Sequence, residues 1–127
     1  MATGRLLGPY IDKTDAARRE PQTAALVTIT PETDRVYLDT PGRCAIEDRG
    51  WRRRVVIEKV GAASSVVWNP WAEKAVAMVD LGDPAWRGMV CVETANIADN
   101  EVRLAPDVDG NFRRCRAMTF SRRPHRG

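Results

Sequence analysis

Turn residues cut this chain into apolar runs of strand length, and that punctuation leaves little room for anything but an all-β fold. Pro31 with Glu32, Pro41-Gly42, Arg49-Gly50 and Asn69-Pro70 each follow a short run rich in apolar residues. Strands are expected over 24–30, 35–39, 45–48, 51–59 and 65–68, with a further short one centred on Tyr10 and Ile11. Residues 90–93 and 101–104 read as two more strands, and 85–89 fits no single state. A proline cannot donate to a sheet ladder, so Pro70 ends the strand before it. Residues 71–79 hold helix formers and predict one or two helical turns. The polar stretch 14–22 (TDAARREPQ) reads as a loop. Many short strands at regular spacing predict a sandwich or barrel, mostly antiparallel, with one short helical segment.

At 127 residues the chain is long enough to bury a real core. No apolar run approaches the roughly 20 residues of a membrane span. The start, MATGRLLGPYIDK, lacks the apolar core of a secretory signal. Cys44, Cys91 and Cys115 are odd in number and follow no metal-ligand spacing. Free thiols in a reducing, cytoplasmic setting are expected, with no metal and with Cys91 in the core. The net charge of +3 misleads, because six arginines (Arg113, Arg114, Arg116, Arg122, Arg123, Arg126) follow Gly110 with no acid among them. Without them the chain is net acidic. A body over 1–106 and a basic tail over 107–127, disordered or of separate origin, are therefore expected. A surface that recruits nucleic acid is not.

The functional signal lies in Val66 to Asn96, VVWNPWAEKAVAMVDLGDPAWRGMVCVETAN. It holds Trp68, Trp71 and Trp86, and it ends in the apolar run Met89-Val90-Cys91-Val92 followed by Glu93. Period-two alternation puts Met89, Cys91 and Glu93 on one face and Val90 and Val92 on the other. A carboxylate ending an apolar strand is expected to be partly desolvated, which moves its pKa toward the range of a general base. The plain alternative is that Glu93 marks where the strand emerges into water.

The segments WNPW…KA…M.D, MVCVE and AN resemble the D-hexose-6-phosphate mutarotase family, relatives of the aldose 1-epimerases. Tyr10-Ile11-Asp12-Lys13 and Thr33-Asp34-Arg35-Val36-Tyr37 resemble two earlier segments of that family, in the same order. Five segments in order are specific where any one would be weak. The resemblance runs from about Leu7 to about Pro106 and implies the C-terminal part of a galactose-mutarotase-like β-supersandwich. It implies a hexose phosphate as substrate, no cofactor, no nucleic acid and no membrane. Mutarotation moves protons and needs no redox group: a base takes the proton of the C1 hydroxyl and an acid protonates the ring oxygen. By resemblance the base stands at Glu93 and a sugar-binding aspartate at Asp34. Arg35 is a weaker candidate for the phosphate, and more often such an arginine is a solvated strand residue. Taken locally, the pattern favours Asp34 or Thr33 as the cap of the turn after Pro31, and the resemblance reverses that order.

Two departures qualify the resemblance. The family's acid is a histidine in an N-terminal half, whereas the one histidine here, His125, lies inside SRRPHRG and in no family motif. The N-terminal half is itself missing from the chain, so the chain alone is expected to be inactive or nearly so. A complete protein would be a monomer, and a truncated one would be open to self-association through unpaired strand edges. The tail also lacks the closing strand usual in the family, which suggests a frame-shifted or replaced end. Two other classes stay open. One is a non-catalytic carbohydrate-binding sandwich that keeps Asp34 and the tryptophans. The other is a β module whose arginine tail meets a polyanion. Trp68 and Trp71 are expected to pack the core and loops, and Lys74 to pair with Asp80.

Overall fold

A computed structural model describes residues 2–3, 8–82, 84–103, 105–106 and 116–120, with backbone alone at 2–3 and 116–120. Ten strands follow in chain order: β1 (Ala2–Thr3), β2 (Tyr10–Asp12), β3 (Arg18–Glu20), β4 (Val27–Thr28), β5 (Thr33–Tyr37), β6 (Arg43–Asp48), β7 (Arg53–Glu58), β8 (Ser64–Asn69), β9 (Cys91–Ala95) and β10 (Arg116–Phe120). One helix, α1 (Trp71–Ala77), follows β8. The strands form two five-stranded sheets of order β10-β7-β6-β1-β4 and β3-β2-β5-β8-β9. Every pair in them is antiparallel. The fold is thus the expected all-β, mostly antiparallel sandwich with one helical segment.

The apolar core lies between the sheets. Val27 of β4, Tyr37 of β5 and Val67 of β8 are its buried centre, packed with Tyr10, Ile29, Cys44, Val90 and Val92. Full burial of a valine such as Val67 stabilises the fold by roughly 1.5–3 kcal/mol. Tyr37 is also fully buried, and its hydroxyl donates to Gln22 Oε1 at 3.2 Å, so its polar end is satisfied. β8 is an interior strand of its sheet, and five of its six residues are buried. Its polar residues have partners to match: Ser65 shares a hydrogen bond of 2.9 Å with Thr40, and Ser64 Oγ accepts from Asn100 Nδ2 at 3.0 Å.

Several strand boundaries differ from expectation. The stretch 14–22 contains β3, which pairs with β2 as a hairpin. Its turn uses Ala16 and Ala17 at φ +48° and +57°, a left-handed pair that a sequence normally signals with Asn or Gly. Asp12 supplies the missing signal by accepting the Thr14 amide at 3.0 Å and the Thr14 hydroxyl at 2.6 Å. The strand expected over 24–30 shrinks to Val27–Thr28. Residues 85–88 form a 3-10 turn. Residues 101–103 are irregular and exposed, and 104 lies outside the described residues. In the tail, where no strand-like ending is legible, the backbone of Arg116–Phe120 pairs with β7 from Arg116 opposite Glu58 to Phe120 opposite Arg54. The rest of the tail, His125 included, lies outside the described residues, as does Cys115.

Asp12 ties this hairpin to β5. Burial alone would raise its carboxyl, but hydrogen bonds from Thr14 and the Arg35 guanidinium outweigh burial and hold it below the usual carboxylate range. A carboxyl lowered in the folded state contributes stability that is complete above its unfolded pKa of about 3.9 and is lost as pH falls through the folded value. Asp12→Asn is therefore expected to flatten the acid limb of the stability profile below about pH 4 and to leave its slope at neutral pH unchanged. Urea unfolding at stepped pH measures this.

Candidate active site

The register of three strands decides which side chains share a face. Asp34 on β5 stands opposite Trp68 on β8, which stands opposite Cys91 on β9. In the next row with the same orientation, Val36 stands opposite Val66, and Val66 opposite Glu93. Cross-strand partners point the same way and neighbours along a strand point oppositely. Asp34, Trp68, Cys91 and Glu93 thus lie on one face of the sheet. Arg35, Val67 and Val92 lie on the other, which is the core face.

The packing agrees with the register. Val36, Leu38 and Val66 form a second buried cluster, flanked by Ile11 and Ala95, on the Asp34 face. The two carboxylates sit on strands either side of β8 and one row apart. Strand spacing and rise place their Cα atoms roughly 12 Å from each other. The half-buried Trp68 lies on the intervening strand.

The two acids differ in surroundings. Asp34 is mostly covered, with 15% of its side chain exposed, and Lys13 Nζ lies 3.0 Å from its Oδ2. The Lys13 amide also donates to the Asp34 carbonyl at 2.8 Å, so the end of β2 braces the start of β5. Glu93 is exposed, and the expected desolvation of this carboxylate is not present here. Glu93 stands at the outer end of the row Ile11, Val36, Val66, on β9 at the margin of its sheet. Cys91, expected in the core, is half-buried on that same face. Burial pushes its thiol above the ordinary value, and the charge of Glu93 adds to the rise.

Arg35 is turned away from the acid pair. Its Nε lies 3.3 Å from Asp12 Oδ2, and its guanidinium lies 4.6 Å from the centroid of the Tyr10 ring. Alternation makes it a partner of the core edge and separates it from any ligand held by Asp34 and Glu93. Lys74, expected to pair with Asp80, instead reaches Glu32 at 3.0 Å. The pairing follows from α1 folding back toward the start of β5.

The WNPW motif builds the support for β9. Asn69 is 3% exposed, and its amide makes three hydrogen bonds. Nδ2 donates to the carbonyls of Trp86 at 2.9 Å and Met89 at 2.7 Å, and Oδ1 accepts the Trp71 amide at 2.8 Å. Trp71 packs its ring on Trp86 at 4.5 Å between centroids and holds φ at +59°, an uncommon setting for a bulky residue. The expected packing role of Trp71 is what the structure displays, whereas Trp68 lies on the acid face. At the far end of β9, Asn96 accepts the Ala63 amide at 3.0 Å and donates to the Gly61 carbonyl at 2.8 Å. Lys13, Trp68 and Asn96 were all inside recognisable motifs, but only strand register reveals what each one holds. Among the described residues no group of three or more His, Cys, Asp or Glu side chains could hold a metal ion. No helix among them is long and apolar enough to cross a membrane.

Two antiparallel five-stranded sheets with one helical segment make a mutarotase-like sandwich portion. A solved mutarotase of Salmonella typhimurium (YeaD), itself provisionally assigned, superposes on it with a TM-score of 0.70 at 31% identity, covering 73% of this chain and 32% of that one. The sequence profile of the aldose 1-epimerase family matches residues 4–109, and the chain belongs to that family. Similar curated proteins carry the provisional name glucose-6-phosphate 1-epimerase. One from Cenchrus ciliaris is 37% identical over 97 residues, which is 76% of this chain and 29% of that protein. One from Escherichia coli is 30% identical over 92 residues, which is 72% of this chain and 31% of that protein. The chain thus spans under a third of the length of these relatives.

The Asn69 amide is the support most open to test. Asn69→Ala removes three hydrogen bonds, one of them fully buried, and it is expected to cost about 2–4 kcal/mol. Asn69→Asp keeps the acceptor for Trp71 but loses both donated bonds, so it is expected to be as damaging. Urea unfolding of the two variants against the parent chain measures both effects.

Proposed function

We propose that this chain carries the base-bearing face of a hexose-6-phosphate 1-epimerase, an isomerase that interconverts the α and β anomers of glucose 6-phosphate or a related aldose phosphate. The observation that supports this most is the register that puts Asp34 and Glu93 on one sheet face, either side of β8. In this reading Glu93 takes the proton of the C1 hydroxyl. The bond between C1 and the ring oxygen breaks, C1 becomes a carbonyl, and an acid protonates the ring oxygen. Rotation of C1 and reclosure deliver the other anomer, with no net oxidation. Asp34, braced by Lys13, accepts hydrogen bonds from sugar hydroxyls, as a carboxylate with two oxygens can. Trp68 offers its ring between them.

By resemblance the acid is a histidine, and since none lies among the described residues, the acid in this reading is supplied from outside them. The isolated chain is accordingly proposed to bind sugar phosphate weakly and to turn it over at close to the uncatalysed rate. Arg35 serves the sheet in this reading, and the phosphate is held by groups elsewhere. A second reading, sugar binding without catalysis, is favoured by one observation, the exposure of Glu93, which leaves its oxygens to water.

A chimera separates the two readings. The matching segment of the Escherichia coli relative is replaced by this chain's segment, and anomer interconversion of glucose 6-phosphate is followed by polarimetry. The epimerase reading expects a rate well above that of buffer. It also expects a loss of about 100-fold or more in kcat for Glu93→Gln, and chiefly a raised KM for Asp34→Asn. A chimera that binds the sugar but whose rate ignores Glu93→Gln supports the second reading.

A further inference from the structure

The hairpin joining β6 to β7 has no part in the acid-pair face, yet its sequence, Arg49-Gly50-Trp51-Arg52-Arg53-Arg54, places four arginines around one tryptophan. Its indole is unusually open for so large an apolar group, with Trp51 79% exposed. The hairpin is nevertheless firmly built. Asp48 accepts the Trp51 amide at 3.2 Å and Arg53 Nε at 2.8 Å, and Arg53 lies 5.7 Å from the centroid of the Trp51 ring. Exposure of the ring is therefore a property of an ordered turn, held out by its own hydrogen bonds.

Beside the ring is a cleft of about 520 Å³, in the size range of small-molecule sites, whose walls include Leu26, Glu47, Asp48, Arg49, Trp51 and Arg87. Its two carboxylates are already engaged, Asp48 by Arg53 and Glu47 by Arg54 at 3.0 Å. Among the described residues no carboxylate pairs with Arg49 or Arg52. The local excess charge is therefore positive and sits next to an open aromatic face, with exposed Leu26 supplying an apolar wall. A flat aromatic group bearing a phosphate matches this combination: the base stacks on the indole and a guanidinium grips the phosphate oxygens.

We propose that this cleft is a second ligand site, on the other sheet from the acid pair, and that it takes a nucleoside 5′-phosphate. Trp51 stacks the base and Arg49 binds the phosphate. The site does not depend on the epimerase reading, since none of its residues lies on the Asp34 and Glu93 face.

Calorimetric titration of the full chain with adenosine 5′-monophosphate tests this, with indole fluorescence followed in parallel. Saturable binding is expected, with quenching that disappears in Trp51→Ala. Trp51→Ala and Arg49→Ala should each weaken binding at least tenfold. Both side chains are exposed, so neither change removes a core contact. Adenosine alone and inorganic phosphate alone should each bind at least tenfold more weakly, and glucose 6-phosphate should not displace the nucleotide. Absence of saturable binding at millimolar nucleotide overturns the proposal. So does affinity that is unchanged in Trp51→Ala, and so does glucose 6-phosphate binding the same cleft equally well.

Discussion

One buried amide sets the position of β9. Asn69 ends β8, and its side chain donates twice and accepts once, which among uncharged side chains only a primary amide can do. The two donated bonds fix the carbonyls of Trp86 and Met89, and the accepted one fixes the backbone of Trp71. The chain between Trp71 and Met89 is thereby pinned at three points while it crosses from β8 to β9. Trp71 adopts a left-handed φ at this crossing, a setting that costs on the order of 1–3 kcal/mol and persists because its amide and ring are both held. Asn96 performs the matching task beyond the other end of β9 by clamping the loop at Gly61 and Ala63. Glu93 is exposed, but the strand beneath it is braced at both ends.

Alternation then divides the chemistry of the sheet. One face turns Tyr37, Val67 and Val92 into the core, with Arg35 and Tyr10 at its edge. The other presents Asp34, Trp68, Cys91 and Glu93. A shift of one residue in the β5–β8 pairing would turn one of the two strands over, sending either Asp34 into the core face or Val67 out of it, so burial of Tyr37 and Val67 enforces the register that gathers the acids. The stability of the core and the composition of the open face are thus two results of one pairing. The Lys13–Asp34 pair adds a local brace, with half of the lysine side chain exposed and its worth correspondingly small.

Much of this was legible in the residues. Turn punctuation marked the all-β class, Asn69-Pro70 marked the end of β8, and the helix formers after it marked α1. Alternation correctly assigned Cys91 and Glu93 to one face and Val92 to the other. The β2–β3 hairpin was hidden because its turn relies on two left-handed alanines and an Asp12 side chain in place of glycine. The environment of Glu93 was hidden for a different reason. Glu93, expected at the end of its strand, is the middle residue of β9, and whether such a carboxylate is covered depends on what packs above the sheet, which neither spacing nor periodicity within the strand reports. Arg35 illustrates the same limit: adjacent to Asp34 in sequence, it is on the opposite face in space.

We propose above all that a sugar phosphate meets the Trp68 face of the sheet. Each of the four tryptophans occupies a different environment, so the indole N–H resonances of the labelled chain report on four places at once. On adding glucose 6-phosphate, the Trp68 resonance is predicted to shift in a saturable way, while those of Trp51, Trp71 and Trp86 stay in place. A stationary Trp68 resonance, with the shift falling on Trp71 or Trp86 instead, would contradict the account.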